Sequence, residues 1–315
     1  METQALYQAK QAGKNRFHVF DDARDRAVRG HHKKIGRIQR ALREGEFALH
    51  YQPKVNLRSG AVTGVEALIR WQHPERGLLA PGLFLPDIEN HPLAVEVGEW
   101  VIATALAQVE AWQTQGLDLP VSVNIAAHHL QQADFVARLK TLLAAHPAVS
   151  PERLELEVLE SSALEDIGNV SAIIAACAEL GVGFALDDFG TGYSSLTYLK
   201  RLPARVLKID QSFVRDMLND PDDLTIIDGV LGLANAFGRE VIAEGVETVA
   251  HGVALLQLGC ELAQGYGIAR PMPAEQLIAW RQHWQPDPRW TQMPQRNRVT
   301  PPARPKPVEA PRLVG

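Results

Sequence analysis

The chain has 315 residues, 46% hydrophobic and 22% charged, with Lys+Arg 32 against Asp+Glu 37 for a formal net charge of −5. This composition gives ample length for a core and excludes a protein that coats nucleic acid by bulk charge, so no DNA is expected as a partner. Cys177 and Cys260 cannot build a disulfide framework and, set among apolar residues, read as buried thiols.

In chain order, the alanine-rich start predicts a short helix over 5–13, too small to be a domain. It runs into the polar stretch Arg29-Gly30-His31-His32-Lys33-Lys34. No apolar run resembles a signal peptide or reaches about 18 residues, and the expected location is cytoplasmic. Short apolar strands then alternate with amphipathic helices. The strands are predicted at 47–52, 62–68, 121–125, 154–158, 183–186, 206–209 and 241–243, with a shorter one near 261–263. Val101, Ile102, Ala105, Leu106, Val109 and Trp112 line one helix face before Gly116. Ile226, Ile227, Val230, Leu233 and Phe237 line another before Gly238. From residue 286 the chain turns proline- and arginine-rich and reads as a disordered tail, a proline-motif ligand being the sharper alternative.

Strand–helix alternation over about 250 residues implies an α/β fold with a parallel sheet, and eight strands imply a closed barrel. An open doubly wound sheet is the competing topology.

Polar residues fall where the strands end: Glu66, Asn124, Glu157, Asp187 with Asp188, Lys208 with Asp210, Glu244 and Gln264. One acidic residue after a strand is ordinarily a helix cap. In a barrel, however, these positions converge on one mouth, where the carboxylates would repel one another. A divalent cation resolves that repulsion, and an all-oxygen set selects Mg2+ or Mn2+. His128 and His129 are adjacent, read as a loop or helix start, and do not make a zinc site. Gly190 with Gly192 and Gly265 with Gly267 read as tight turns. No nucleophile elbow or phosphate-binding glycine loop occurs.

The segments Glu66-Ala67-Leu68-Ile69-Arg70-Trp71, Ser122-Val123-Asn124, Leu154-Glu155-Leu156-Glu157, Asp187-Asp188-Phe189-Gly190-Thr191-Gly192, Leu207-Lys208-Ile209-Asp210, Ala243-Glu244-Gly245-Val246-Glu247 and Gln264-Gly265-Tyr266 occur in this order. Together they resemble the EAL family of bacterial cyclic-di-GMP phosphodiesterases over residues 33–285. The resemblance implies a modified TIM-type (β/α)8 barrel with the first strand antiparallel. Residues 5–21 resemble the last helix and strand of a GGDEF diguanylate cyclase domain whose body and signature are absent, so no cyclase activity is expected. The implied organisation is a GGDEF remnant and linker over 1–32, the barrel over 33–285 and the tail over 286–315. The parent would be a tandem protein with a sensor upstream.

Carried over by resemblance, Glu66, Asn124, Glu157 and Asp187 hold one metal. Asp187 bridges to a second, with Asp188 assisting. Lys208 orients the nucleophilic water, and Glu244 and Gln264 complete the metal and water network. Gln52, Arg70 and Asp210 contact the dinucleotide, Arg70 through phosphate. Glu160 and Glu247 fasten the loop after Asp188, which in the family also serves a homodimer. Two departures are visible: Leu159 stands where the family often has threonine, and Phe84-Leu85-Pro86-Asp87-Ile88-Glu89 differs from the usual sequence. Neither removes a metal ligand. The implied reaction is two-metal hydrolysis to linear pGpG with Mg2+ or Mn2+, inhibited by Ca2+. Two rivals are a non-catalytic cyclic-di-GMP receptor, which would have lost a ligand, and a metal-dependent barrel lyase or isomerase.

Overall fold

The computed structural model describes residues 22–192 and 196–294. The expected helix over 5–13, the GGDEF-like segment 5–21 and the tail residues 295–315 lie outside the described residues.

Helix α1 (Asp22–Glu44) leads into β1 (Phe47–Asn56), which forms an antiparallel hairpin with β2 (Val62–His73). The turn is set by Asn56, whose side-chain oxygen accepts the N–H groups of Arg58 and Ser59. Around the barrel follow β4 (Val121–Asn124), β5 (Leu154–Leu159), β6 (Gly183–Phe189), β7 (Val206–Ile209), β8 (Glu240–Ala243) and β9 (Leu262–Ala263), each parallel to its predecessor. Strand β9 then pairs with β1 antiparallel through Val55 and Ala263, and the barrel closes. The topology is the modified TIM-type barrel, with β1 alone reversed; an open sheet is excluded by the β1–β9 pairing. Two short strands, β3 (Gly77–Leu79) and β10 (Met272–Pro273), extend β2 and β1. Three and two residues are too short to carry a readable alternation.

The helices outside are α2 (Leu93–Thr114), α3 (Phe135–Ala145), α4 (Glu160–Glu165), α5 (Ile167–Glu179), α6 (Leu196–Arg201), α7 (Gln211–Asp216), α8 (Pro221–Ala236), α9 (Val249–Leu258), α10 (Ala274–His283) and α11 (Pro288–Thr291). None of them is long and apolar enough to cross a membrane. The predicted face of α2, from Val101 to Trp112, is buried. Trp112 meets Tyr51 of β1 edge-on at 4.7 Å. On α8 the buried face is Ile227, Val230 and Ala234, whereas Ile226 is exposed. The 3.6-residue period turns Ile226 away once Ile227 faces the barrel.

Strand side chains alternate between this outer core and the barrel interior. The interior has two layers. At the floor, Ala185, Val206 and Ile242 pack with Leu262 as a small apolar cluster separate from the main core. The layer above, toward the C-terminal ends of the parallel strands, is polar.

The junction expected between residues 32 and 33 falls inside helix α1, which runs unbroken through Gly30. The other boundary needs correction. The disordered tail expected from 286 does not begin there. Trp290 of α11 is buried, and its indole N–H donates to the Val249 carbonyl at 2.9 Å. It lies so close over Gly252 that a Cβ there would fall 2.4 Å from Nε1. One tryptophan supplies enough apolar area to dock a short segment that its prolines and charges marked as unanchored. Both cysteines are buried thiols, as expected.

Candidate functional site

The eight barrel strands bring polar residues to the upper interior layer, from strand ends in most cases but from mid-strand for Gln52 of β1 and Glu66 of β2, and Lys208 of β7 lies at its centre. The Lys208 ammonium is 2.5 Å from Glu157 Oε2, 2.7 Å from Glu244 Oε1, 3.1 Å from Asp187 Oδ1 and 3.6 Å from Glu66 Oε2. Asn124 Nδ2 and Gln264 Nε2 each donate to a different oxygen of Glu66 at 2.7 Å. Gln264 also donates to Gln52 Oε1 at 3.0 Å, while Gln52 donates to the Ala269 carbonyl. With its N–H groups so committed, Gln264 leaves its side-chain oxygen buried without a partner.

Asp187 and Asp188 are consecutive and would face opposite ways in a regular strand. Here the β6–β7 register shifts between Leu186 and Phe189, and Asp188 adopts a left-handed conformation, φ 53°. The distortion lets ligand oxygens of Asp187, Asp188 and Glu244 lie within 4.8 Å of one another. Asp188 also hydrogen-bonds to Asp210, which caps α7 by accepting the Ser212 N–H at 2.9 Å.

Burial would raise the Glu157 carboxyl, but Lys208 and Lys54 outweigh it and hold it down at about 2. Burial pushes Glu244 up to about 8, with Asp187 and Glu66 adding to the shift against the pull of Lys208. Asp188 is pushed up to about 7 by burial, the Asp187 charge and the Asp210 hydrogen bond. Burial also raises Glu66 and Asp187. Burial disfavours the Lys208 ammonium, yet the surrounding carboxylates keep its pKa well above the ordinary lysine value. One ammonium therefore faces more carboxylates than it can neutralise. The oxygen-only donor set, the orphaned Gln264 oxygen and the Asp187–Asp188–Glu244 cluster fit a hard divalent cation.

The other predicted residues surround this centre. Glu160, at the start of α4, accepts the Gly190 N–H at 2.9 Å and also bonds the Gly192 backbone, fastening the loop after Asp188. Among the described residues of that loop, no hydrogen bond reaches Glu247. Gly245, in a left-handed turn packed against Gln211, directs the chain toward α7, and the exposed Glu247 faces the charges of Arg215 and His251. Arg70 lies on the Glu66 face of β2, four residues toward the rim, half-buried, with one N–H donated to the Ile69 carbonyl. His129 is buried against Phe135 and contributes nothing to the site.

One residue was missed. Lys54 of β1 is buried, with its ammonium 2.9 Å from Glu157 Oε1 and 3.1 Å from Glu155 Oε1, and it donates to Ser122 Oγ. Ser122 in turn donates to Glu155 at 2.7 Å. The signal was present: Gln52 and Lys54 alternate with Tyr51, Pro53 and Val55, so a lysine shares the face of a site residue in a buried strand.

The fold and the cluster define a reversed-first-strand α/β barrel with a carboxylate–lysine centre at its C-terminal mouth. The chain belongs to the EAL domain family, whose profile matches residues 35–271. It is 41% identical over 276 residues to the bifunctional diguanylate cyclase/cyclic di-GMP phosphodiesterase MucR of Pseudomonas aeruginosa, covering 87% of this chain and 40% of MucR. It is 37% identical over 277 residues to the cyclic di-GMP phosphodiesterase PdeR of Escherichia coli, covering 88% and 42%. The chain thus spans about two fifths of the length of these relatives. Among solved structures, the PaMucR phosphodiesterase in complex with c-di-GMP superposes with a TM-score of 0.75 at 43% identity, covering 78% of this chain and 99% of that one. The EAL enzyme Bd1971 with cAMP and cyclic-di-GMP gives 0.76 at 31% identity, covering 88% and 73%.

Proposed function

We propose that this chain hydrolyses cyclic-di-GMP to linear pGpG with two divalent cations, Mg2+ or Mn2+. The observation that carries the reading is the convergence of Glu66, Glu157, Asp187 and Glu244 on the Lys208 ammonium, with Asn124 and Gln264 on Glu66. The names of MucR and PdeR, and the c-di-GMP held by the PaMucR structure, support the substrate.

Glu66, Asn124, Glu157 and Asp187 would hold one ion, and Asp187 with Asp188 the other, Glu244 and Gln264 completing the set. Bound there, the ions supply acidified water and neutralisation of the phosphoryl charge. Lys208 orients the attacking water by hydrogen bonding and, as an ammonium, stabilises the negative charge that builds in the transition state. Arg70 at the rim meets the phosphate and Gln52 the dinucleotide; Asp210 keeps Asp188 in place beside the substrate. Water adds to phosphorus, one phosphodiester bond opens, and its ribose oxygen leaves with a proton. Glu160 holds the loop that follows Asp188. The working protein is a cytoplasmic homodimer, part of a tandem protein with GGDEF and sensor regions upstream.

The test is purified chain with cyclic-di-GMP and Mg2+ or Mn2+, followed chromatographically for pGpG, with EDTA as control. Binding without cleavage would identify a receptor instead.

A further inference from the structure

The lower interior layer is uneven. On one side it is the apolar floor of Ala185, Val206, Ile242 and Leu262. On the other, directly under Glu157, stand Lys54, Ser122 and Glu155. A fully buried lysine is rare and has to be matched by its surroundings. Here it is: two carboxylates and a hydroxyl take its three N–H donors, and Ser122 and Glu155 also bond each other.

Glu155 does not by itself account for this lysine, because Glu155 is partly open to solvent, its side chain 20% exposed, whereas the Glu157 side chain is 0% exposed. Glu157 has one oxygen on Lys54 from below and the other on Lys208 at site level. A carboxylate gripped on one oxygen by a fixed donor cannot rotate about its Cγ–Cδ bond without breaking that bond. Its other oxygen, which keeps a lone pair beyond the one facing Lys208, is thereby aimed at the mouth.

We propose that Lys54 is a positioning residue that pre-orients Glu157 for divalent-cation binding. It touches neither substrate nor the reacting atoms. The inference rests on the reading of Glu157 as a metal ligand. Losing such support typically weakens metal binding about 10–100-fold.

The experiment measures Mn2+ binding to the full chain without substrate, by loss of the free-ion electron paramagnetic resonance signal, and then kinetics at limiting and saturating Mn2+. Wild type is compared with Lys54→Met, Lys54→Gln and Glu157→Gln. Expected for Lys54→Met is a Kd for Mn2+ raised about 10–100-fold, with KM for cyclic-di-GMP unchanged and kcat largely restored at saturating Mn2+. Lys54→Gln keeps a donor to Glu157 and should fall between; if circular dichroism shows Lys54→Met unfolded, it decides by the same readout. Wild-type Mn2+ affinity in the Lys54 variants, alongside a weakened Glu157→Gln, would overturn the inference alone. Wild-type affinity in Glu157→Gln would overturn the metal-ligand reading and the inference with it.

Discussion

Lys208 and Glu244 meet at 2.7 Å at the mouth of the barrel, and the same ammonium contacts three further carboxylates from three other strands. Replacing it therefore has two consequences. Lys208→Ala should lower kcat at least 100-fold with little change in KM, since its charge acts on the transition state more than on bound substrate. In EDTA the variant should also lose about 3–5 kcal/mol of stability, because several buried carboxylates lose their shared counter-charge. Steady-state kinetics and thermal melts check both. A raised KM with kcat intact would make Lys208 a substrate clamp.

The acid–base balance of the site predicts a pH dependence of the metal-free fold. Asp188 and Glu244 titrate near 7 and 8 in the folded protein, above their ordinary range. Between about pH 4 and 8 the native state thus holds protons that the unfolded chain has lost, so stability falls as pH rises through these values. Glu157, depressed to about 2, acts oppositely and favours the fold less as pH drops from about 4.5 toward 2. Melting temperature in EDTA should peak near pH 5 and decline toward pH 9. Mg2+ should erase the decline by binding the deprotonated carboxylates. A flat profile in EDTA between pH 6 and 9 would contradict the assignment.

Glu160 secures the Asp188 loop through the backbone of Gly190 and Gly192. Glu160→Ala should reduce turnover about 10–100-fold, the usual scale for losing a supporting contact to a metal site. Glu247→Ala, whose carboxylate acts on the charges of Arg215 and His251, should cost far less. Equal losses in the two variants would show that Glu247 acts on the loop as well.

Trp290 fixes the segment after α10 to the barrel. Trp290→Ala should destabilise the protein by about 3–5 kcal/mol, the range for emptying a buried tryptophan site. Ending the chain at Gln285 should do at least as much. Chemical denaturation reads this directly, and an unchanged midpoint would mean that the contact contributes nothing.

Calcium tests the fit of the carboxylate cluster. Ca2+ shares the oxygen preference of Mg2+ but takes bonds of about 2.3–2.6 Å rather than about 2.0–2.1 Å, in looser geometry. Water and phosphate would sit out of line, and about 1 Å of misplacement can cost about 100-fold. Cyclic-di-GMP should bind in Ca2+ and remain uncleaved. Turnover in Ca2+ equal to that in Mg2+, or any cleavage in EDTA, would count against two-metal hydrolysis.

The sequence by itself determined the alternation of strands and helices, the buried face of α2 and the polar strand ends, because periodicity and residue type are local properties. From those strand ends alone it also marked Glu66, Asn124, Glu157, Asp187, Asp188, Lys208, Asp210, Glu244 and Gln264 as one set. That β1 runs against its neighbours came from family resemblance, since a strand reads alike in either direction. Only the tertiary structure decided that four of those carboxylates share one lysine, that a left-handed Asp188 turns two consecutive side chains toward Glu244, and that Lys54 stands beneath Glu157. It also decided that Trp290 belongs to the core and Glu247 faces α7. The Lys208, Lys54 and Trp290 contacts join residues from 21 to more than 100 positions apart. The interior charge balance, which no single segment contains, exists only once the barrel closes.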